Sequence, residues 1–149
     1  MEIEKRKAWM RTLALSDQDE LLRFASEYSG PEYVFLRAPE IGLVMVQGRV
    51  NGDGAAFNLG EMTMVRCVVR TETGQVGYGF VAGRSRKHAE LAAYFDALLQ
   101  DEKTGPELER RLIAPLDNRL LRRRMEQDAA TQTTAVDFFT LVRGEDGHE

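Results

Sequence analysis

The stretch GYGFVAGRSRKHAELAAYFDALL, Gly77–Leu99, decides the fold. Its first part is an apolar run punctuated by glycine, in the style of a strand. Its last part carries Leu91, Ala92, Phe95, Leu98 and Leu99 at helical spacing, one buried stripe of a helix expected over about Arg86 to Gln100. Between them, GRSRKHAE (Gly83–Glu90) gathers three cations and one of the chain's two histidines where strand hands over to helix. Gly77 and Gly79 project to one face of the strand, with Tyr78 on the other. Glycines in a strand cost stability and mark a close approach of a ligand or of another backbone, here most simply a tightly packed helix.

Upstream, Trp9, Met10 and Leu13 sit at helical spacing within Glu4–Leu15, and Leu21, Phe24, Ala25 and Tyr28 form a clean i, i+3, i+4, i+7 face. Ser16 is placed to cap that second helix, with Asp19 in the third position, and Gly30-Pro31 ends it. The period then changes. YVFLRA (33–38) and IGLVMVQGRV (41–50) read as two strands split by Pro39-Glu40, NGDGAA as a loop, and FNLGEMTMVRCVVR (57–70) as a long strand. TETG makes a hairpin turn into QVGYGFVAG. Short links make these strands antiparallel, because a parallel crossover needs a dozen residues or more. Downstream, LIAPLD reads as an extended kink around Pro115, RLLRRRMEQDAA as a basic helix and VDFFTLV as a β-like end. The order gives an α+β fold: an antiparallel sheet of three to four strands, helices packed on one face, and an apolar C-terminal segment.

The 149 residues predict a single domain over 1–149, with 132–149 as an arm that docks a partner. A net charge of -4 argues against nucleic acid as a partner. One cysteine, Cys67, excludes an intrachain disulfide and fits a reducing cytosol. With two histidines it leaves too few ligands for a zinc site or an iron–sulfur cluster held by this chain alone. No apolar run approaches the length of a membrane span, and MEIEKRKAWM lacks the apolar core of a secretory signal. A cytoplasmic protein is expected.

Candidate sites follow from chemistry. Arg84, Arg86 and Lys87 beside a helix N-terminus could bind an anion, but a single glycine makes no phosphate loop, and a solvated turn or a partner contact explains the same residues. His88 falls on the apolar stripe, where a core histidine with one satisfied hydrogen bond is the plain reading and an acid–base role the sharp one. Glu90 points elsewhere. Arg66 and Arg70 share a strand face and could clamp a carboxylate or phosphate, or simply line an exposed sheet with charge. Cys67, between Val65 and Val69, reads as inert packing. The run Arg119, Arg122, Arg123, Arg124 lacks interleaved aromatics, so it reads as a solvated helix face or, through Arg122 and Arg123, as a contact to an acidic partner rather than to bases. Val136, Phe138, Phe139 and Leu141 make the chain end adhesive: it should return to the sheet or pair with another chain, and is read as a docking element.

Five stretches taken in order, RAPEIGLVMVQGR, FNLGEMTMVRC, GYGFVAGRSRKHAE, LIAPLD and VDFFTLVRG, resemble the G subunit of the bacterial carbon–phosphorus lyase system, the PhnG family. The likeness runs from about Trp9 to Arg143, with GR…HAE and VDFFT…RG its most specific parts. It implies an accessory role in organophosphonate breakdown: with H, I and L subunits, ATP and methylphosphonate become α-D-ribose 1-methylphosphonate 5-triphosphate, with release of adenine. It implies a core complex with H, I and J subunits. It also implies that the iron–sulfur cluster and S-adenosylmethionine act on another subunit, with no cofactor bound by this chain alone, and it supplies no catalytic set for the chain. Whether the isolated chain forms a homo-oligomer stays open. The rivals are a self-contained phosphate-ester enzyme built on His88 with Arg84 and Arg86, and an anion-binding module without chemistry.

Overall fold

The computed structural model describes residues 3–49 and 56–146; the side chains of Arg49, Ala56, Asn58 and residues 131–146 lie outside the described residues. The chain divides into two units, Met1–Leu116 and Asp117–Glu149. The first holds α1 (Ile3–Leu15), α2 (Gln18–Glu27), β1 (Tyr33–Arg49), β2 (Ala56–Thr71), β3 (Val76–Ala82), α3 (Arg86–Leu99), α4 (Gly105–Leu108) and a π-helical turn (Glu109–Ile113); α5 runs Ala114–Asp146.

The three strands form one antiparallel sheet in the order β1-β2-β3. Val65, Cys67 and Val69 alternate inward and are buried, as the period of two requires. Against them lies α3, buried on almost every side from His88 to Leu99. Gly77 and Gly79 set the spacing. A Cβ at Gly77 would collide with the Ala93 carbonyl oxygen and sit 2.6 Å from Ala97 N. One at Gly79 would collide with the Ala89 carbonyl and lie 3.0 Å from Ala93 N. The glycines therefore mark the close approach of a helix.

Around α3, the core takes in Trp9 and Leu13 of α1, Leu21 of α2, and Leu108, Leu112, Ile113 and Leu116 farther along the chain. Phe24 and Tyr28 meet Phe95 edge-on, with ring centroids 5.7 and 6.3 Å away, a favoured aromatic geometry.

Local details differ from the sequence reading, each for a physical reason. The helix α2 is capped by Asp17, whose Oδ1 accepts from Asp19 N at 2.8 Å, while Ser16 Oγ donates back to the Leu13 carbonyl and closes α1. The two strands expected around Pro39 are one strand, β1. Register shifts between Phe35, Arg37 and Glu40 absorb the proline, which has no N–H to give a ladder and is tolerated on an edge strand or at a bulge. Pro115 does not kink the chain into an extended segment. It lies at the start of α5, directly after the π-helical turn and inside a continuous helical run; the widened turn, in which Ala114 N bonds Glu109 O, is where the missing N–H of proline is accommodated.

The C-terminal stretch Val136–Val142, expected as β-like, is helical backbone within α5. The docking roles read for Val136, Phe138, Phe139 and Leu141 fall on side chains outside the described residues. The NGDGAA loop likewise lies outside them, except for Ala56, which opens β2.

Candidate functional site

The handover from β3 to α3 is built by Gly83 and Ser85. Gly83 takes a positive φ of 104°, which glycine reaches without a Cβ penalty, and its N–H bonds Thr63 O at 2.9 Å. Ser85 caps α3: its Oγ accepts from His88 N at 3.1 Å and donates to Gln18 Oε1. Arg84, Arg86 and Lys87 are exposed around this cap, and Lys87 Nζ lies 3.6 Å from Glu90 Oε2. The basic turn thus exists as a surface feature, with part of its amide capacity already used by Ser85.

His88 turns the other way. It is buried, and its Nε2 lies 2.9 Å from the Leu13 carbonyl oxygen. A carbonyl only accepts, so Nε2 carries the proton. The ring ties α3 to the end of α1, the core role anticipated for it. Glu90 lies apart from His88 and accepts from the Tyr33 hydroxyl. Burial and that carboxylate push the Tyr33 phenol above its ordinary range, while burial pushes Tyr94, which donates to Pro31 O at 2.7 Å, up to about 12.

Sequence reasoning missed the most heavily bonded polar group described. Asp96, fully buried on α3, accepts from Trp9 Nε1 at 2.8 Å, from Arg6 Nη2 at 2.9 Å and Nε at 3.2 Å, and from Tyr78 N at 2.9 Å. A buried carboxylate is tolerable only when paired and hydrogen-bonded, and here α1 and the β3 backbone supply the donors. The hydrogen bond to Asp96 raises the Arg6 pKa. The available signal was an acid set inside AAYFDALL, an otherwise apolar stretch.

Arg66 and Arg70 do not form a clamp. Arg66 Nε pairs with Glu40 Oε2 at 3.2 Å and Arg37 joins at 2.9 Å; the bonds from Arg37 and then Arg66 hold Glu40 below its ordinary value. Arg70 lines a separate groove of about 290 Å³ with Glu32 and Glu72. A second groove, about 280 Å³, lies where Ile3, Arg6, Lys7 and Met10 of α1 meet Tyr78 and Phe80. His88, Arg84 and Arg86 line neither groove. Cys67 is buried, its thiol pushed up to about 11 by burial and then by the charge of Glu90, a poor nucleophile or ligand at neutral pH. Among the described residues no group of three or more His, Cys, Asp or Glu could hold a metal ion, and no helix is long and apolar enough to cross a membrane. In the second unit, Arg119, Arg122, Arg123 and Arg124 are exposed on α5.

The family model described as phosphonate metabolism protein PhnG matches residues 4–144. The chain belongs to the PhnG family. A curated relative, the alpha-D-ribose 1-methylphosphonate 5-triphosphate synthase subunit PhnG of Rhizobium meliloti (strain 1021), is 44% identical over 148 residues, which covers 97% of this chain and 92% of the relative. The matched region takes in the capped basic turn, His88, Asp96 and the helical end of the chain to Gly144. For this member of the PhnG family, the residues that sequence reasoning singled out divide in two. His88 and Cys67 face the core, while Arg84, Arg86, Arg122 and Arg123 face outward.

Proposed function

We propose that this chain is the G subunit of an α-D-ribose 1-methylphosphonate 5-triphosphate synthase. In this reading it acts with H, I and L subunits on ATP and methylphosphonate, with release of adenine, and sits in a core complex with H, I and J subunits in the cytoplasm. The observation that carries the reading is the 44% identity, over 97% of the chain, to a relative named as that synthase's subunit.

The geometry supports an accessory rather than a reacting role. The Nε2–H of His88 is committed to Leu13 O, Asp96 to donors on Arg6, Trp9, Tyr78 and Gln100, and Cys67 to the core. Outward-facing charge is what remains for contacts: Arg84, Arg86 and Lys87 brace a neighbouring subunit beside the triphosphate it handles, and Arg122 and Arg123 with the segment around Val136, Phe138, Phe139 and Leu141 dock further subunits. The chemistry of ATP, and that of the iron–sulfur cluster with S-adenosylmethionine, belongs to partners.

The test is reconstitution. Purified H, I and L subunits are given ATP and methylphosphonate with and without this chain, and adenine is quantified. Adenine release that requires the chain is the expected result. Full release without it, or release by this chain alone, contradicts the reading.

A further inference from the structure

The sheet has three strands at one end and two at the other. β3 stops at the pair Met64↔Ala82, whereas β1 and β2 stay paired out to Arg49↔Ala56. From Leu43↔Thr63 outward they form a two-stranded arm about 20 Å long. A lone ribbon of this kind is marginal in water, and this one is apolar on both faces.

One face continues that of Val65, Cys67 and Val69 and carries Leu43 and Met45, 66% and 52% exposed. The opposite face carries Val44 and Met62, 44% and 40% exposed. Farther out, Leu59 is the extra residue between the pairs Val46↔Gly60 and Gln47↔Asn58. It lies with Phe57 over Gly48, where an added Cβ would meet Leu59 Cδ1 at 3.1 Å and Phe57 Cζ at 3.3 Å. The bulge therefore concentrates apolar surface at the far end. Together these side chains exceed the scattered exposure normal for a monomer and approach the scale of one side of a stable interface, about 800 Å².

Shape and charge narrow the occupant. A flat surface covers one face of a ribbon; two apolar faces back to back call for a cleft. Glu61, opposite Met45, is the only charged residue in the segments 43–48 and 57–63, and it has no ion-pair partner among the described residues. A two-fold copy that set Glu61 against Glu61 would bring carboxylate toward carboxylate, and a second ribbon offers no cleft for two opposite apolar faces, so a different chain fits both features better. Resting on the reading of this chain as a synthase subunit, we propose that the arm inserts into an apolar cleft of another subunit of that synthase, which presents an arginine or lysine to Glu61.

The experiment uses the full chain with p-benzoyl-phenylalanine at Leu43 or at Val44, assembled with the other synthase subunits and irradiated. Both positions, on opposite faces, should cross-link to one and the same subunit. The double substitution Leu43→Ser with Met45→Ser, and separately Glu61→Lys, should each weaken assembly at least about tenfold. Leu22→Ser on α2 should leave it unchanged, as should every variant the circular dichroism of the free chain. Cross-links from one face only, cross-links to a second copy, or undiminished assembly of the arm variants would overturn the arm while leaving the subunit reading intact. Failure of the wild-type chain to bind any synthase subunit would overturn both.

Discussion

Trp9 donates its indole N–H to the fully buried carboxylate of Asp96 at 2.8 Å, joining residues 87 positions apart. The same carboxylate holds Arg6 and the Tyr78 backbone N–H, so one side chain fastens α1 and the edge of β3 to α3. Asp96→Asn keeps the shape but replaces an acceptor with a donor facing donors. It should lower unfolding free energy by about 3 kcal/mol, the low end for breaking a buried pair, because Arg6 is partly exposed and can be rehydrated. Trp9→Phe, which removes one donor, should cost about 1–2 kcal/mol. Urea titration of both variants checks the order.

Two glycines on one sheet should respond oppositely to alanine. Gly77→Ala forces a Cβ against the Ala93 carbonyl and Ala97 N, an overpacked contact with backbone that cannot yield, and should cost at least the upper end of ~1–3 kcal/mol. Gly42, where an added Cβ meets nothing within 4 Å, should accept alanine with no loss. Thermal unfolding of the pair separates close packing from a general intolerance of side chains in these strands.

His88→Leu tests whether the imidazole is structural. The Leu13 carbonyl keeps its bond from Ser16 Oγ at 2.9 Å, so losing the His88 bond should cost only about 1–2 kcal/mol. Adenine release by the reconstituted synthase, per folded chain, should be unchanged. A fall of orders of magnitude in a well-folded variant would instead make His88 an acid or base.

Alkaline pH should destabilise the fold through Cys67. The thiol ordinarily titrates near 9.0 and is pushed up to about 11 in the folded chain. Between those values the unfolded chain loses a proton that the folded chain keeps, so stability falls as pH rises through that window. Tyr94, raised from 10.0 to about 12, extends the loss upward. Cys67→Val should flatten the lower part of the slope, read from urea midpoints taken from about pH 8 to 11.

Much of this fold was legible because its elements keep clean periods. Leu21, Phe24 and Ala25 mark α2, Val65, Cys67 and Val69 mark the inner face of β2, and the helical stripe after Gly83 marks α3. Gly77 and Gly79 were legible as a close approach, with a packed helix as its simplest cause. What escaped was set by context. VDFFTLV has the composition of a strand, yet neither glycine nor proline stands between Pro115 and Gly144, and a helix already nucleated extends one hydrogen bond at a time until something stops it. Pro39 looked like a break because local rules cannot see that β1 is an edge strand. Asp96 was hidden because its closest donors come from Arg6, Trp9 and Tyr78, which only the folded chain brings together. The basic turn was visible as charge and the inward face of His88 as helical spacing, but Ser85 as the cap, with its bond to Gln18 of α2, was not.

The central claim is that this chain works as one part of a larger synthase. Native mass spectrometry of the tagged chain co-expressed with its organism's H, I and J subunits tests it most directly. The account predicts one stable particle containing this chain in fixed stoichiometry with those subunits. A chain that elutes free of them under the same conditions, while the others assemble without it, would contradict the account.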